Sequence, residues 1–282
     1  MRVTFCGTAS GGATAKRAAT CILLDDGERG LLLDCGPGSL GALFRAGLAL
    51  PKTQALVVSH LHMDHIHGFP EWLAHLVFPY SAIPRVYGPA GTRAYVEHAV
   101  RATSLVTSVY GKPFGAPFEV PVIEFEDGAD WEIPEASVRS IVVPHAPEVV
   151  ALAHRVSFAG RTIVYSGDTR AEAGLMVPLA EGGDMLIHEA YSEAGLTDWT
   201  RGSEPSRIEA IFRAFERTHT RVDVAARIAE EAGVRTLVLT HLCPGEQPER
   251  LAAEAQGWFS GEVVVAEDEL SLRVPRQAGG SS

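Results

Sequence analysis

Short apolar runs alternate with amphipathic stretches along the chain, and this alternation predicts a layered α/β fold. The run 55–58 (ALVV) is typical of a short buried strand, and 72–78 (WLAHLVF) has the amphipathic pattern of a helix. Other strands are predicted at 2–6, 20–25, 31–34, 85–87, 119–125, 137–143, 151–158, 162–165, 184–187, 235–239, 262–265 and 270–274. Other helices are predicted at 39–47, 91–102, 204–217, 221–232 and 247–258. This order indicates layered sheets with helices outside them.

The length of the chain and the positions of its loop-forming segments favour one domain. A chain of 282 residues with 46% hydrophobic content can build one sizeable core. The segment 103–118 places glycine and proline among apolar side chains, which predicts a loop or a lid. The polar end of the sequence predicts a flexible tail over 276–282. We therefore expect a single domain over 1–275.

The charge and the cysteines restrict the class of protein. The formal charge is −11 and the only lysines are Lys16, Lys52 and Lys112, which argues against a broad basic surface for nucleic acid. No apolar run approaches the roughly 20 residues of a membrane span, and the opening strand leaves no visible signal peptide. The four cysteines lack zinc-site spacing and are interpreted as reduced thiols. We expect a cytoplasmic protein without a membrane partner.

A cluster of metal-type ligands follows the strand at 55–58. His60, His62, Asp64 and His65 place three imidazoles and one carboxylate within six positions, in a chain with only 11 histidines, so a chance run is improbable. At strand-like spacing His60 and His62 can face the same way, while Asp64 and His65 turn toward a second point. This pattern favours two borderline metal ions with nitrogen and oxygen ligands.

The spacing His60-x-His62-x-Asp64-His65 resembles the signature of the metallo-β-lactamase superfamily. Further motifs follow in the order of its ribonuclease Z-like branch, namely the glycine turn of 1–12, Asp34 in LLLDCGPG, Pro144-His145, Ser166-Gly167-Asp168-Thr169, His188-Glu189 and Thr240-His241. The resemblance covers nearly the whole chain. It implies an αββα sandwich of two mixed sheets with helices on the outer faces and the metals at one edge.

The resemblance also implies a set of seven metal ligands. One metal would be held by His60, His62, His145 and Asp168, and the other by Asp64, His65, Asp168 and His241. Two divalent ions are implied, with zinc expected and manganese or iron as alternatives. Asp64 is also counted among the catalytic residues.

Three further residues have implied roles around the metals. Asp34 would orient a ligand histidine. His219, held by Glu189, would protonate the leaving group, a task that suits an imidazole near neutral pH. The alternative for His219 is that it only flanks a helix. His67, His75, His98 and His154 are assigned to surface or packing positions.

The implied function is a binuclear metal-dependent hydrolase in which a metal-bridging hydroxide attacks a small ester or phosphodiester. Three alternatives stay open: a tRNA 3′-processing endonuclease of the ribonuclease Z type, a thioesterase or arylsulfatase that uses the same site, and a metal-binding domain without catalysis.

Two departures from the tRNA-processing relatives favour a small-molecule substrate and make nucleic acid an unlikely partner. The connection 145–168 is too short for their protruding arm, and their Ser-x-Arg-Tyr motif is absent after His241. The segment 190–218 is longer than expected and holds aromatic side chains, so it packs as helices or, together with 103–118, caps a partly apolar substrate. A homodimer is left open.

Overall fold

Two seven-stranded mixed sheets face each other in the computed structural model, which describes residues 1–11, 14–47, 52–80, 82–107 and 119–274. The first sheet contains β1 (Arg2–Gly7), β2 (Cys21–Asp25), β3 (Gly30–Leu33), β4 (Thr53–Val57), β5 (Arg85–Gly88), β6 (Val122–Glu124) and β14 (Ser271–Arg273). The second contains β7 (Asp130–Glu132), β8 (Ser137–Val143), β9 (Ala151–Phe158), β10 (Arg161–Tyr165), β11 (Met185–Glu189), β12 (Thr236–Thr240) and β13 (Glu262–Val265). The strand orders are β14-β1-β2-β3-β4-β5-β6 and β13-β12-β11-β10-β9-β8-β7.

The helices of the described residues lie around the two sheets, and most of them cover the outer faces. They are α1 (Ser39–Arg45), α2 (Met63–Ile66), α3 (Phe69–Tyr80), α4 (Thr92–Thr107), α5 (Ala173–Ala180), α6 (Glu193–Thr200), α7 (Pro205–Thr218), α8 (Val222–Ala232) and α9 (Pro248–Gln256). A central core contains side chains of both sheets, such as Phe5 and Val156. Separate apolar clusters join the first sheet to α1, α3 and α4, and the second sheet to α5, α8 and α9. The predicted αββα sandwich is therefore confirmed.

Most predicted elements occur near their predicted positions, but several short elements were not predicted. Strands β8, β9 and β13 have the predicted bounds, whereas the strand predicted over 119–125 shortens to β6. Helices α2 and α6 and strand β7 were not predicted, because three to eight residues carry too little periodicity to be recognised. Residues 103–107 belong to α4, and the rest of the loop predicted at 103–118 lies outside the described residues. The tail predicted over 276–282 also lies outside them, and the domain limits stay a prediction.

The carboxyl ends of several strands meet at one edge of the sandwich. Strands β10, β11 and β12 are parallel neighbours, so the residues that follow them emerge side by side. Strand β8 runs in the same direction, since β9 is antiparallel to both β8 and β10. The turn after β4 is joined to this edge by a hydrogen bond from Leu152 N to the Ser59 carbonyl, over 2.9 Å. Every proposed metal ligand follows one of these strands.

Replacing Gly36 with alanine is expected to lower the free energy of unfolding by about 1–3 kcal/mol through overpacking. An added Cβ would lie 2.1 Å from the Asp64 carbonyl oxygen and 2.7 Å from Ala19 Cβ, so the backbone behind the histidine motif would have to move. Urea unfolding measures the change. The control is Gly174→Ala in α5, where an added Cβ meets nothing within 4 Å and alanine favours the helix. A Gly36 variant as stable as this control would contradict the packing argument.

The described helices are not membrane spans. None of them combines the length and the apolar character that crossing a bilayer demands.

Candidate metal centre

Three imidazole nitrogens converge in a first cluster at the sheet edge. His62 Nδ1 lies 3.0 Å from His60 Nε2 and 3.2 Å from His145 Nε2. His145 Nδ1 donates to the Thr218 carbonyl over 2.7 Å, so Nε2 is the ring nitrogen that faces the cluster. Without a metal, hydrogen bonding in this trio requires His62 Nδ1 to serve both neighbours at once, either by sharing one proton or by accepting two on a single lone pair. A cation bound between them would satisfy all three.

A second cluster combines carboxylates with imidazoles. His241 Nε2 lies 3.3 Å from Asp64 Oδ2 and 3.2 Å from Asp168 Oδ2, and His65 Nε2 lies 3.7 Å from Asp64 Oδ2. Asp64 Oδ2 also accepts a hydrogen bond from Gly11 N over 2.8 Å, which ties the predicted glycine turn to the site. Asp64, His65 and His241 are buried. This donor set of nitrogen and oxygen atoms suits zinc and other borderline divalent ions.

Asp168 lies between the two clusters. Its Oδ2 is 3.9 Å from both His60 Nε2 and His145 Nε2, and its Oδ1 is 3.3 Å from His65 Nε2. Gly167 has a φ of +56°, a left-handed conformation that glycine adopts without strain and that turns the chain after β10. Asp168 is therefore the one predicted ligand whose carboxylate reaches members of both clusters.

Buried atoms without a hydrogen-bond partner test whether these residues fit a metal. Among the described residues, His65 Nε2 and Asp168 Oδ1 are buried and form no hydrogen bond, although they lie 3.3 Å apart. Leaving buried polar atoms unpaired is costly, and coordination to a cation would remove the cost. The residues present therefore fit divalent ions, as expected for a metal-dependent hydrolase.

The electrostatics of the second cluster favour positive charge. Burial opposes protonation of His241, but Asp168, Asp64 and Glu189 outweigh it and raise its pKa to about 10. Burial likewise opposes protonation of His65, yet Asp168 contributes to a pKa well above the usual value. Protons on these imidazoles balance the carboxylates in the absence of metal. A divalent cation would supply that positive charge directly.

The predicted pair of Glu189 and His219 lies directly beside Asp168. His219 Nδ1 is 2.8 Å from Glu189 Oε2 and 4.0 Å from Asp168 Oδ2. Glu189 Oε1 accepts a hydrogen bond from Thr169 N over 2.7 Å, which fixes the carboxylate. Burial opposes protonation of His219, but Glu189 and Asp168 outweigh it and raise its pKa. The His219 side chain is 13% exposed, so it lies on the open side of the centre.

Aromatic side chains of the segment 190–218 support His219 from behind. The Phe215 ring lies 4.7 Å from the His219 ring, and Tyr191 and Trp199 pack on Phe215 at 5.4 and 5.9 Å. His219 is also the C-cap of α7, and its N–H donates to the Phe215 carbonyl over 2.8 Å. The packing interpretation of these aromatic residues is therefore sufficient, and a substrate cap stays a prediction.

The remaining predicted positions are also located. Asp34 is fully buried and its Oδ2 lies 2.7 Å from His65 Nδ1, as expected for a residue that orients a ligand. His75 and His98 contact carbonyls of their own helices, and His67 stacks on Tyr95 at the surface of α4. Sequence reasoning missed Ser59 and Tyr165, whose hydroxyls both contact Asp34 over 2.7 Å. Both residues directly precede the His60 and Asp168 motifs in the sequence, and this position could have marked them as candidates for contact with the site.

Comparisons with known proteins agree with this architecture. Residues 1–196 match the family model described as Anti-Pycsar protein Apyc1. Ribonuclease Z of Mycolicibacterium gilvum is 31% identical over 256 residues, covering 88% of this chain and 86% of the relative. Ribonuclease Z of Mycolicibacterium paratuberculosis is 30% identical over 280 residues, covering 95% and 96%. The solved structure of the metallo-β-lactamase fold protein YhfI from Bacillus subtilis superposes with a TM-score of 0.75 at 24% identity, covering 96% and 98%.

These similarities extend over the fold and over the sequence that carries the predicted ligands. The chain therefore belongs to the Apyc1 family within the ribonuclease Z-like branch of the metallo-β-lactamase superfamily, and it is a metal-dependent hydrolase.

Proposed function

We propose that this chain hydrolyses small phosphodiesters with two divalent cations, with zinc expected at each position. One ion would be held by the first cluster and Asp168, and the other by the second cluster and Asp168. The proposed ligands are His60, His62, His145, Asp168, Asp64, His65 and His241. The observation that carries the proposal is the position of Asp168 between two groups of ligand atoms.

Bound cations would supply an activated water and stabilise negative charge that develops on the substrate. The protein contributes orientation and a proton. Glu189 engages His219 at Nδ1, which leaves His219 Nε2 as the atom that can give a proton to the departing oxygen. His219 and His62 are only partly buried, whereas His60, His65 and Asp168 are almost fully buried. The substrate is therefore expected to approach over His62 and His219.

A phosphodiester fits this centre better than a carboxylic ester does. Two cations can neutralise a bound phosphodiester anion and its leaving oxygen together. The relatives carry the name ribonuclease Z, which describes cleavage of phosphodiester bonds in RNA. Thioesters, aryl sulfates and aryl esters are the comparison substrates for the assay. If neither these nor phosphodiesters react, the alternative of a metal-binding domain without catalysis is favoured.

Cleavage of RNA is the second candidate, and the relatives favour it. The short 145–168 connection is occupied by β9 and β10, which leaves no room for an inserted arm. However, the ribonuclease Z of M. paratuberculosis is covered to 96% by this chain, so a relative of similar length carries that name. The missing arm therefore cannot by itself exclude RNA. The charge of −11 still opposes affinity for a polyanion.

We expect zinc-loaded protein to hydrolyse bis(p-nitrophenyl) phosphate and short dinucleotides, and to bind a precursor tRNA only weakly at physiological salt. RNA affinity should fall steeply with salt, because released counterions supply most of it. Steady-state assays at two salt concentrations, with His62→Ala as the negative control, measure both activities. Efficient removal of a tRNA 3′ trailer at physiological salt, lost in His62→Ala, would replace this proposal by the ribonuclease function.

A further inference from the structure

Ser59 connects the two clusters through one buried carboxylate. Its N–H donates to Asp34 Oδ1 and its hydroxyl donates to Asp34 Oδ2, each over 2.7 Å. Ser59 Oγ also lies 3.0 Å from His60 Nδ1. The hydroxyl has one proton, and the carboxylate can only accept. Both contacts are hydrogen bonds only if His60 Nδ1 carries a proton and donates it to Ser59.

Asp34 contacts a histidine of the second cluster directly. His65 Nδ1 and the Tyr165 hydroxyl each lie 2.7 Å from Asp34 Oδ2. Asp34 is fully buried and has a φ of +57°, a strained conformation for this residue that four hydrogen bonds hold in place. His65 therefore receives its orientation directly from Asp34, whereas His60 receives it through Ser59. With metal bound, each ring would keep its proton on Nδ1 and direct its Nε2 lone pair at the metal.

We propose that Ser59 is a positioning residue that fixes the tautomer of His60 and so controls one metal position selectively. The inference rests on the proposed two-metal function. A histidine ligand whose second nitrogen is held by a partner binds metal more tightly, and loss of such a partner typically costs about 10–100-fold in affinity. Removing the Ser59 hydroxyl deprives His60 Nδ1 of its partner at 3.0 Å. His65 Nδ1 loses only a longer contact of 3.4 Å with Ser59 Oγ and keeps its contact of 2.7 Å with Asp34.

The backbone at Ser59 is held independently of the hydroxyl. The Ser59 carbonyl accepts a hydrogen bond from Leu152 N, and the Ser59 N–H is bound to Asp34. Ser59→Ala should therefore fold normally. Ser140→Ala is a matched control, because Ser140 is a fully buried serine whose hydroxyl lies 2.8 Å from His154 Nδ1, and His154 is not a proposed ligand.

The test measures zinc release from the zinc-loaded protein to a competing chelator, together with NMR detection of the His60 Nδ1 proton. We expect two ions in the wild type. In Ser59→Ala one ion should dissociate at about 10–100-fold lower chelator concentration while the other changes little, and the protected His60 proton should be lost. Ser140→Ala should keep both ions and that proton.

Three results would contradict the inference. Unchanged release in Ser59→Ala, equal weakening of both ions, or the same loss in Ser140→Ala would each show that Ser59 does not act selectively on His60. A wild type that binds fewer than two ions would instead overturn the proposed function, and this inference with it. Release is measured without substrate, so failure to find the substrate leaves the test intact.

Discussion

Replacing Asp168 with alanine is expected to remove both metal ions and to reduce turnover by more than about 10³-fold, because water activation and charge stabilisation would be lost together. The physical reason is the position of the carboxylate. Asp168 reaches His60 and His145 of the first cluster, and His65 and His241 of the second. Elemental analysis of protein purified from zinc-supplemented medium gives the ion count, and a phosphodiester assay gives the rate.

Two controls separate bridging from general destabilisation. Asp184 is a buried aspartate between β10 and β11 that pairs with Arg161 and Arg235, so Asp184→Ala should lower stability but keep both ions. His145→Ala removes a proposed ligand of the first cluster alone and should weaken mainly one ion. If Asp168→Ala lost only one ion while the other stayed fully bound, Asp168 would not bridge, and the proposed arrangement would be wrong.

The architecture and the convergence of the predicted ligand side chains could be predicted because both depend on local order. His60, His62, Asp64 and His65 lie close in sequence, and a strand followed by a helix is sufficient to bring them together. His145, Asp168 and His241 follow predicted strands, and parallel strands end at the same edge. Pattern and motif order therefore contain this information.

The hydrogen bonds between the sheets were not predictable in the same way. Tyr165 on β10 reaches Asp34, which follows β3 in the other sheet, over a separation of 131 residues. His154 on β9 is fully buried and lies 3.3 Å from the Val58 carbonyl at the end of β4. Both contacts depend on how the two sheets pack face to face, which no local pattern specifies. The packing assignment of His154 agrees with its buried position, but its polar partners required the structure.

The role of the aromatic residues in the helices around Trp199 and Phe215 could not be decided from the sequence. Their aromatic content suggested either packing or a cap, and sequence offered no reason to choose. In the structure Phe215 contacts Tyr191, Trp199 and His219. The aromatic residues therefore pack against His219, the proposed general acid. Helix α6 is fixed at its start by Ser192, whose hydroxyl accepts from Gly195 N over 2.9 Å. The packing of α6 and α7 around Phe215 therefore accounts for these aromatic residues without any contact with substrate.

The second large effect is expected from His219→Ala. If His219 protonates the leaving group, turnover of alkyl or nucleoside leaving groups should fall about 10²–10⁴-fold, the usual contribution of general acid–base catalysis. Turnover of p-nitrophenyl substrates should change far less, since p-nitrophenolate departs without a proton. Zinc content should stay at the wild-type value, because the proposed ligand set does not include His219.

Comparison with matched variants distinguishes whether His219 donates a proton or only stabilises the structure of the candidate metal centre. His219 stacks on His241 with ring centroids 5.4 Å apart, so a structural role would disturb the neighbouring ligand and slow both substrate types equally. His67→Ala changes a histidine that stacks on Tyr95 outside the clusters, and it should leave the ratio of the two rates unchanged. Glu189→Gln keeps the shape of the partner but removes the charge that raises the pKa of His219, so the loss of turnover should again be largest on poor leaving groups. Equal losses on good and poor leaving groups in His219→Ala would assign His219 to structure, because only a missing proton makes the loss depend on the leaving group.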